Sequence, residues 1–167
     1  MKVTRRGPSE FTPQPWKNGG GRTVELAREG EGEAFAWRVS VADIERSGPF
    51  SEFPGYERTI VLLQGDGVEL TIDGRTRRLD RPLEPFVFDG ASKTTCRLLG
   101  GPSRDLNVMA DRRRVRAQVD VVDGHADIIG ACALLYVPGA DLLCIDEGAG
   151  EKMELPARAI LVQFFTP

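Results

Sequence analysis

Residues 58–74 read RTIVLLQGDGVELTIDG, two short β-rich runs separated by Gly65-Asp66-Gly67 and followed by Asp73-Gly74. Glycine and aspartate supply the positive-φ backbone that tight turns between strands require. Each apolar run is short and bounded by turn residues, which favours a strand over a helix. The stretch therefore predicts a strand, a turn, a second strand and a second turn.

The same pattern recurs later in the chain. A shift of 74 residues without gaps superimposes Ile60–Phe88 on Leu134–Val162. The punctuating residues coincide, with Gly65 on Gly139, Gly74 on Gly148 and Pro82 on Pro156. Internal repetition of a strand-turn-strand unit predicts two related β-rolls within one domain.

The remaining sequence also indicates an all-β fold. With 19 glycines and 11 prolines among 167 residues, the composition favours many tight turns over long helices. Further β-rich runs occur at 36–42, 86–88, 94–99, 106–110, 116–122, 131–137, 142–145 and 159–165, a spacing typical of a sandwich or barrel. We expect a single domain over residues 1–167, with an N-terminal arm and glycine-rich loop over 1–34, a first β-roll over 35–110 and a second over 111–167.

Charge and cysteine content limit the classes of partner and compartment. The 22 basic and 25 acidic side chains give a net charge of −3, so we expect no nucleic-acid partner. No apolar run approaches the ~20 residues of a membrane-spanning helix, so we expect no membrane partner. The three cysteines show no C-x-x-C spacing, which predicts reduced thiols in a cytoplasmic protein.

The single histidine, His125, excludes metal centres built from several histidines. It lies between Asp123-Gly124 and Asp127, which predicts a surface turn rather than a catalytic site. A Ser-His-Asp relay would have only this one base, and no serine lies in a G-x-S-x-G segment. We therefore expect no metal, no other cofactor and no catalytic residue.

The segment Trp16-Lys17-Asn18-Gly19-Gly20-Gly21 is the first candidate binding element. Its glycines let the backbone approach another group and leave N–H donors available to an anion, while Lys17 adds a positive charge. Trp16 would form an apolar wall for a ligand. A glycine-rich turn with a buried tryptophan explains the segment equally well.

Strand alternation defines the other candidates. In the segment from Asp105 to Met109, Asp105 and Asn107 share one face while Leu106 and Val108 share the other. The polar face points into a barrel mouth, or the segment is an edge strand with a solvated face, and the spacing leaves both open.

Two arginines are candidates for binding a carboxylate. Arg38 shares a strand face with Ser40, and Arg58 begins the next β-rich run. Each guanidinium could form a fork for a carboxylate. A surface arginine on a strand is the alternative for each of them.

Together these segments resemble the HutD/Ves family. The matching blocks are PWKNGGG-x-T-x-EL over 15–26, F-x-WRVSVA over 35–42, GPFS-x-FPG over 48–55, Arg58 before a strand ending in L-x-G, and D-x-NVM over 105–109. The resemblance covers nearly the whole chain and implies a cupin-like double β-roll. Many members carry an aromatic residue where this chain has Leu106, and we expect this difference to change packing rather than binding.

The resemblance implies a ligand pocket formed by Trp16, Lys17, Asn18, Arg38, Ser40, Arg58, Asp105 and Asn107. In it, Lys17 and Arg58 would neutralise a ligand carboxylate. Asn18 and Asn107 would bind an amide or formyl group, and Trp16 would cover the apolar part of the ligand.

The family implies no established catalytic activity. Some members accompany histidine-degradation enzymes and are proposed to bind N-formylglutamate or a similar small acid in a regulatory role, and others are described as stress-induced. Many cupins hold a metal through several histidines and a carboxylate, which this chain lacks. We therefore expect a metal-free protein that binds a small anionic metabolite and forms a homodimer through its sheet edges.

Two alternatives remain. One is a metal-independent isomerase or epimerase in which Asp105 and Lys17 form a proton-transfer pair. The other is a stress-related protein-interaction module, which would present a large exposed apolar patch.

Overall fold

A computed structural model describes residues 1–140 and 142–167. In this part of the chain, all regular structure is β-strand except one 3-10 turn at Pro8–Glu10. The strands are β1 (Lys2–Arg6), β2 (Thr12–Pro15), β3 (Gly21–Glu29), β4 (Trp37–Ile44), β5 (Gly48–Pro49), β6 (Tyr56–Gln64), β7 (Val68–Ile72), β8 (Arg75–Leu79), β9 (Phe86–Asp89), β10 (Thr94–Leu98), β11 (Ser103–Asp111), β12 (Arg116–Val122), β13 (His125–Ile128), β14 (Cys132–Tyr136), β15 (Leu142–Asp146), β16 (Glu151–Glu154) and β17 (Ala159–Phe165). No helix among these residues is long and apolar enough to cross a membrane.

The strands form antiparallel sheets that stack in layers. A four-stranded sheet, β5-β10-β7-β8, faces the six-stranded sheet β2-β3-β4-β11-β6-β9. The other side of the six-stranded sheet faces the five-stranded sheet β1-β15-β14-β17-β12, which in turn is covered by the pair β13-β16. Buried apolar clusters fill the three spaces between these layers. The fold is therefore all-β and cupin-like, as the sequence predicted.

The apolar layer between the six-stranded and five-stranded sheets joins the two rolls. Val39 and Leu106 of the six-stranded sheet pack there against Leu134 and Val162 of the five-stranded sheet, and the Trp37 ring stacks on Phe164 with centroids 4.3 Å apart. Each such buried side chain contributes about 2 kcal/mol of hydrophobic free energy. Leu106 is fully buried in this layer, which confirms that it packs away from the polar face of its strand.

The repeat predicts the strand positions but not their pairing. Moving Val68–Ile72 along the chain by 74 residues gives Leu142–Asp146, the bounds of β15. However, β14 and β15 are hydrogen-bonded neighbours, whereas β6 and β7 lie in different sheets. The Gly65-Asp66-Gly67 turn therefore crosses between layers, and a Cβ at Gly65 would lie 2.6 Å from the carbonyl oxygen of Pro102.

Residues 1–34, which the sequence predicted to form an arm, contain three strands. β1 pairs with β15 at the edge of the five-stranded sheet, and β3 pairs with β4 inside the six-stranded sheet. The sequence pattern missed β1 and β2 because almost every residue of these strands is exposed. The N-terminal segment thus contributes strands to both rolls.

Candidate functional site

A cavity of about 610 Å³ opens into the first roll, between the six-stranded sheet and the segment around β5. Seven of the eight predicted site residues line it: Trp16, Lys17, Asn18, Arg38, Ser40, Arg58 and Asn107. Of these, Arg38, Ser40, Arg58 and Asn107 lie on strands. They face the cavity because alternate residues of β4, β6 and β11 point into this roll. Its volume is in the range of small-molecule sites.

β11 is a central strand of the six-stranded sheet, so the edge-strand interpretation of residues 105–109 is wrong. It pairs with β4 on one side and with β6 on the other. Asn107 and Met109 therefore face the cavity from a buried strand. Polar groups in such a position need partners.

The loop between β2 and β3 is fixed by its own hydrogen bonds. The Trp16 indole Nε1 donates to Thr23 Oγ1 at 2.8 Å, and Asn18 Oδ1 accepts from the Gly20 N–H at 2.8 Å. The Gly19 N–H donates to the Trp16 carbonyl. The expectation that the glycine N–H groups are available to an anion is therefore wrong for Gly19 and Gly20.

Only glycine fits at the end of this loop. A Cβ at Gly21 would overlap the carbonyl oxygen of Asp43 on the neighbouring strand β4. This close approach lets the loop turn directly into β3 and keeps Trp16, Lys17 and Asn18 at the cavity.

Arg58 is a buried cation that forms no ion pair with any carboxylate of the described residues. Its side chain is 6% exposed, and its guanidinium lies 5.0 to 5.5 Å from the ring centroids of Phe50, Phe53 and Phe88. It donates to the Ser51 carbonyl and to Asn107 Oδ1, both at 3.3 Å, while its Nε has no hydrogen-bond partner among the described residues.

A second guanidinium lies in the same cavity. Arg38 contacts the rings of Phe35 and Phe53 and donates to the Met109 sulfur, and its Nε also has no partner in the described part of the chain. Burial lowers the pKa of Arg38. Burial, together with the charge of Arg38, lowers the pKa of Arg58 to about 10. Arginine guanidiniums stay charged at neutral pH, so the cavity lining carries two positive charges, and the charge of Glu25 acts on one of them, Arg38.

Asp105 is the one predicted site residue that does not line the cavity. Its side chain is 1% exposed, and neither carboxylate oxygen has a hydrogen-bond partner among the described residues. Burial raises its pKa to about 7, and its charge helps to raise the pKa of the Cys96 thiol across the roll. It therefore lies inside the first roll rather than at the mouth of the cavity.

The structure does not bring the Asp105/Lys17 pair together. Lys17 is exposed at the cavity mouth, and Asp105 makes no hydrogen bond to it. His125 lies outside the cavity, where it begins β13 rather than occupying a turn. Among the described residues there is no group of three or more His, Cys, Asp or Glu that could hold a metal ion, so these residues do not fit a cupin-type metal site.

Sequence reasoning missed several lining residues: Gln14, Pro15, Thr23, Ala42, Ile44, Pro49, Phe50, Ser51, Phe53 and Met109. The alternation that selected Asn107 also puts Met109 on the same face, so this residue could have been found. Phe50 and Phe53 lie in the block at 48–55 that resembles the family, but the sequence pattern indicates no role for them. Their function is visible only in the structure, as ring contacts to the two arginines.

A family model described as HutD matches residues 8–163. The chain belongs to the HutD family. A Pseudomonas putida protein described as an uncharacterized 21.2 kDa protein in the hutC 3′ region is 49% identical over 130 residues, 77% of this chain and 68% of that protein. Protein Ves from Citrobacter koseri is 37% identical over 144 residues, 80% of this chain and 75% of that protein.

The solved structure of HutD from Pseudomonas fluorescens SBW25 has the same fold. It is 36% identical, with a TM-score of 0.90, and the match covers 99% of this chain and 100% of that one. The HutD blocks that carried the sequence resemblance supply most of the cavity lining. The family resemblance stated from the sequence is therefore confirmed.

Replacing Thr23 tests how the HutD loop is held. Thr23→Val is expected to lower the free energy of unfolding by about 1 kcal/mol, because it removes the acceptor of the Trp16 indole N–H. Thr23→Ser keeps the hydroxyl and is the matched control. Urea unfolding of both variants measures the difference, and equal stabilities would show that this hydrogen bond does not stabilise the loop.

Proposed function

We propose that this HutD-family protein is a metal-free, cytoplasmic binding protein for a small carboxylate metabolite, with N-formylglutamate as the ligand and a regulatory role in histidine catabolism. The observation that carries the proposal is the pair of guanidiniums at the cavity. Neither Arg38 nor Arg58 is within 4.0 Å of a carboxylate oxygen among the described residues.

A buried cation without a partner is costly, because it loses hydration and gains no opposite charge. Such an arrangement is expected where the missing charge comes from a ligand. A bound carboxylate would accept from the Nη–H donors of the two guanidiniums, which suit fork-like recognition. Phenyl rings beside the guanidiniums exclude water and strengthen that attraction.

The rest of the lining suits the remainder of such a ligand. Lys17, exposed at the mouth, would attract a second anionic group. Because the oxygens of Asn18 and Asn107 already accept hydrogen bonds, the amide N–H groups remain to donate to a formyl oxygen. Trp16 would cover the aliphatic carbons between these polar groups.

Two further observations agree with the proposal. The three cysteines are free thiols, which suits a reducing compartment. The exposed large hydrophobic side chains among the described residues are Met1 and Val3 at β1, Val87 on β9 and Ile129 after β13. These few side chains do not make the large apolar patch expected of a protein-interaction module.

A thermal-shift series tests the proposal. N-formyl-L-glutamate at about 100 times its Kd is expected to add about 2.7 kcal/mol of stability and to raise Tm by about 5 to 10 °C. Formate, urocanate, histidine and nucleotide sugars are expected to give smaller shifts. A flat response to every carboxylate would overturn the proposal.

Lysine variants show where binding occurs. Lys17→Ala is expected to weaken N-formyl-L-glutamate binding about tenfold, because it removes one charge-assisted hydrogen bond at the mouth. Lys152→Ala removes the same charge from an exposed position on β16, outside the cavity, and is expected to leave the shift unchanged. Equal effects of the two variants would contradict the assignment of the cavity.

A further inference from the structure

All the charged side chains around the cavity are cationic, and neutral ones such as Gln14, Ser40 and Ser51 offer only uncharged oxygens as acceptors. No Asp or Glu is among the lining residues, all of which belong to the described part of the chain. Lys17, Arg38 and Arg58 carry donors only. The amide oxygens of Asn18 and Asn107 and the hydroxyl oxygen of Thr23 already accept hydrogen bonds from within the protein.

Two carboxylates that act on groups in the first roll, Glu25 and Asp105, do not supply an acceptor to the cavity. Glu25 acts on Arg38 through its charge, but it forms an ion pair with Arg28 at 3.7 Å and does not line the cavity. Asp105 lies under the surface, with both oxygens inaccessible. A ligand in the cavity therefore meets three cations and no carboxylate.

We propose that the cavity rejects ligands with a free ammonium group and binds acids whose nitrogen is acylated or absent. This inference rests on the proposed function and narrows its ligand class. An ammonium group in the cavity would be desolvated, would lack a strong acceptor and would be repelled by Arg38, Arg58 and Lys17. An acylated nitrogen carries no charge, and its carbonyl oxygen matches the donors that the cavity offers.

Three related acids test whether the cavity discriminates against a free ammonium group. Titration calorimetry at pH 7.5 would compare glutarate, N-formyl-L-glutamate and L-glutamate, which share the five-carbon diacid chain and differ in the nitrogen. L-Glutamate is expected to bind at least 100-fold more weakly than glutarate, and N-formyl-L-glutamate at least as tightly as glutarate. If glutamate and glutarate bind equally, this inference is overturned while the proposed function stands. If none of the three binds, both are overturned.

A substitution that adds a carboxylate to the cavity tests whether the lack of one causes the rejection of ammonium groups. Gln14 lines the cavity mouth and is exposed, so Gln14→Glu introduces a carboxylate without burying a charge. It is expected to reduce the preference for glutarate over glutamate at least fivefold. Gln64→Glu makes the same change at an exposed position outside this cavity and is expected to leave the preference unchanged. An unchanged preference in Gln14→Glu would overturn the explanation by the missing negative charge, as would tight glutamate binding that Asp105→Asn abolishes.

Discussion

Asp105→Asn is expected to raise the free energy of unfolding at pH 8 by up to about 4 kcal/mol relative to the unsubstituted protein, and by much less at pH 4. Burial raises the pKa of Asp105 from its ordinary value of 3.8 to about 7 in the folded protein. Each pKa unit of difference between the folded and unfolded states corresponds to about 1.4 kcal/mol, which gives the magnitude. Asparagine has nearly the same shape and stays neutral at every pH.

The direction follows from which state holds the proton. Below about pH 4, Asp105 is protonated in both states and its burial as a neutral acid is tolerated. As the pH rises from 4 to 7, the unfolded chain releases the proton while the folded protein retains it, so stability falls until the folded carboxyl also ionises. The pKa values of Asp43, Asp89 and Asp111 are lowered, so their contributions change below this window.

Urea unfolding at pH 4 and pH 8 measures the effect. The quantity of interest is the difference between Asp105→Asn and the unsubstituted protein at each pH, which cancels contributions common to both. Glu151→Gln, at an exposed carboxylate on β16, is the control and is expected to show no pH-dependent difference. A stabilisation by Asp105→Asn that is equal at both pH values would contradict a raised pKa.

The strands were predictable because their signal is local. Alternation and glycine turns give the positions of β7 and β15, and they give the opposite faces of Leu106 and Asn107. The pairing was not predictable, because whether a turn such as Gly65-Asp66-Gly67 closes a hairpin or crosses to another sheet depends on what packs around it. Strand β8 was missed for a related reason: its side chains from Arg75 to Arg78 are exposed and three of the four are basic, so it lacks an apolar pattern.

The residues of the candidate site were also predictable only in part. The eight residues named from the family blocks include seven that line the cavity, because these blocks combine charged and amide side chains with strand alternation. The exception is Asp105, whose face was predicted correctly but whose depth was not. Period-two alternation assigns a side chain to a face of a sheet, whereas its depth depends on the residues of the opposing sheet, including Cys96 on β10.

Arg58→Met is expected to weaken binding of N-formyl-L-glutamate at least 100-fold while raising the stability of the unliganded protein by about 1 kcal/mol or more. A pKa lowered to about 10 corresponds to about 3 kcal/mol of unfavourable free energy for the charged form in the fold. Methionine fills similar space beside Phe50, Phe53 and Phe88 and carries no charge. The lost hydrogen bonds to the Ser51 carbonyl and to Asn107 offset part of the gain, at about 1 kcal/mol each.

The opposite signs of the two effects distinguish a binding residue from a structural one. A residue retained for the fold stabilises the protein, whereas a residue retained for a ligand can destabilise the empty protein. Arg97→Met, which removes an exposed arginine paired with Glu69 at 3.0 Å, is the control and is expected to change neither quantity by more than about 0.5 kcal/mol. Calorimetric titration and urea unfolding of both variants give the two numbers. If Arg58→Met destabilises the protein and retains full affinity, Arg58 is structural and the anion is bound elsewhere.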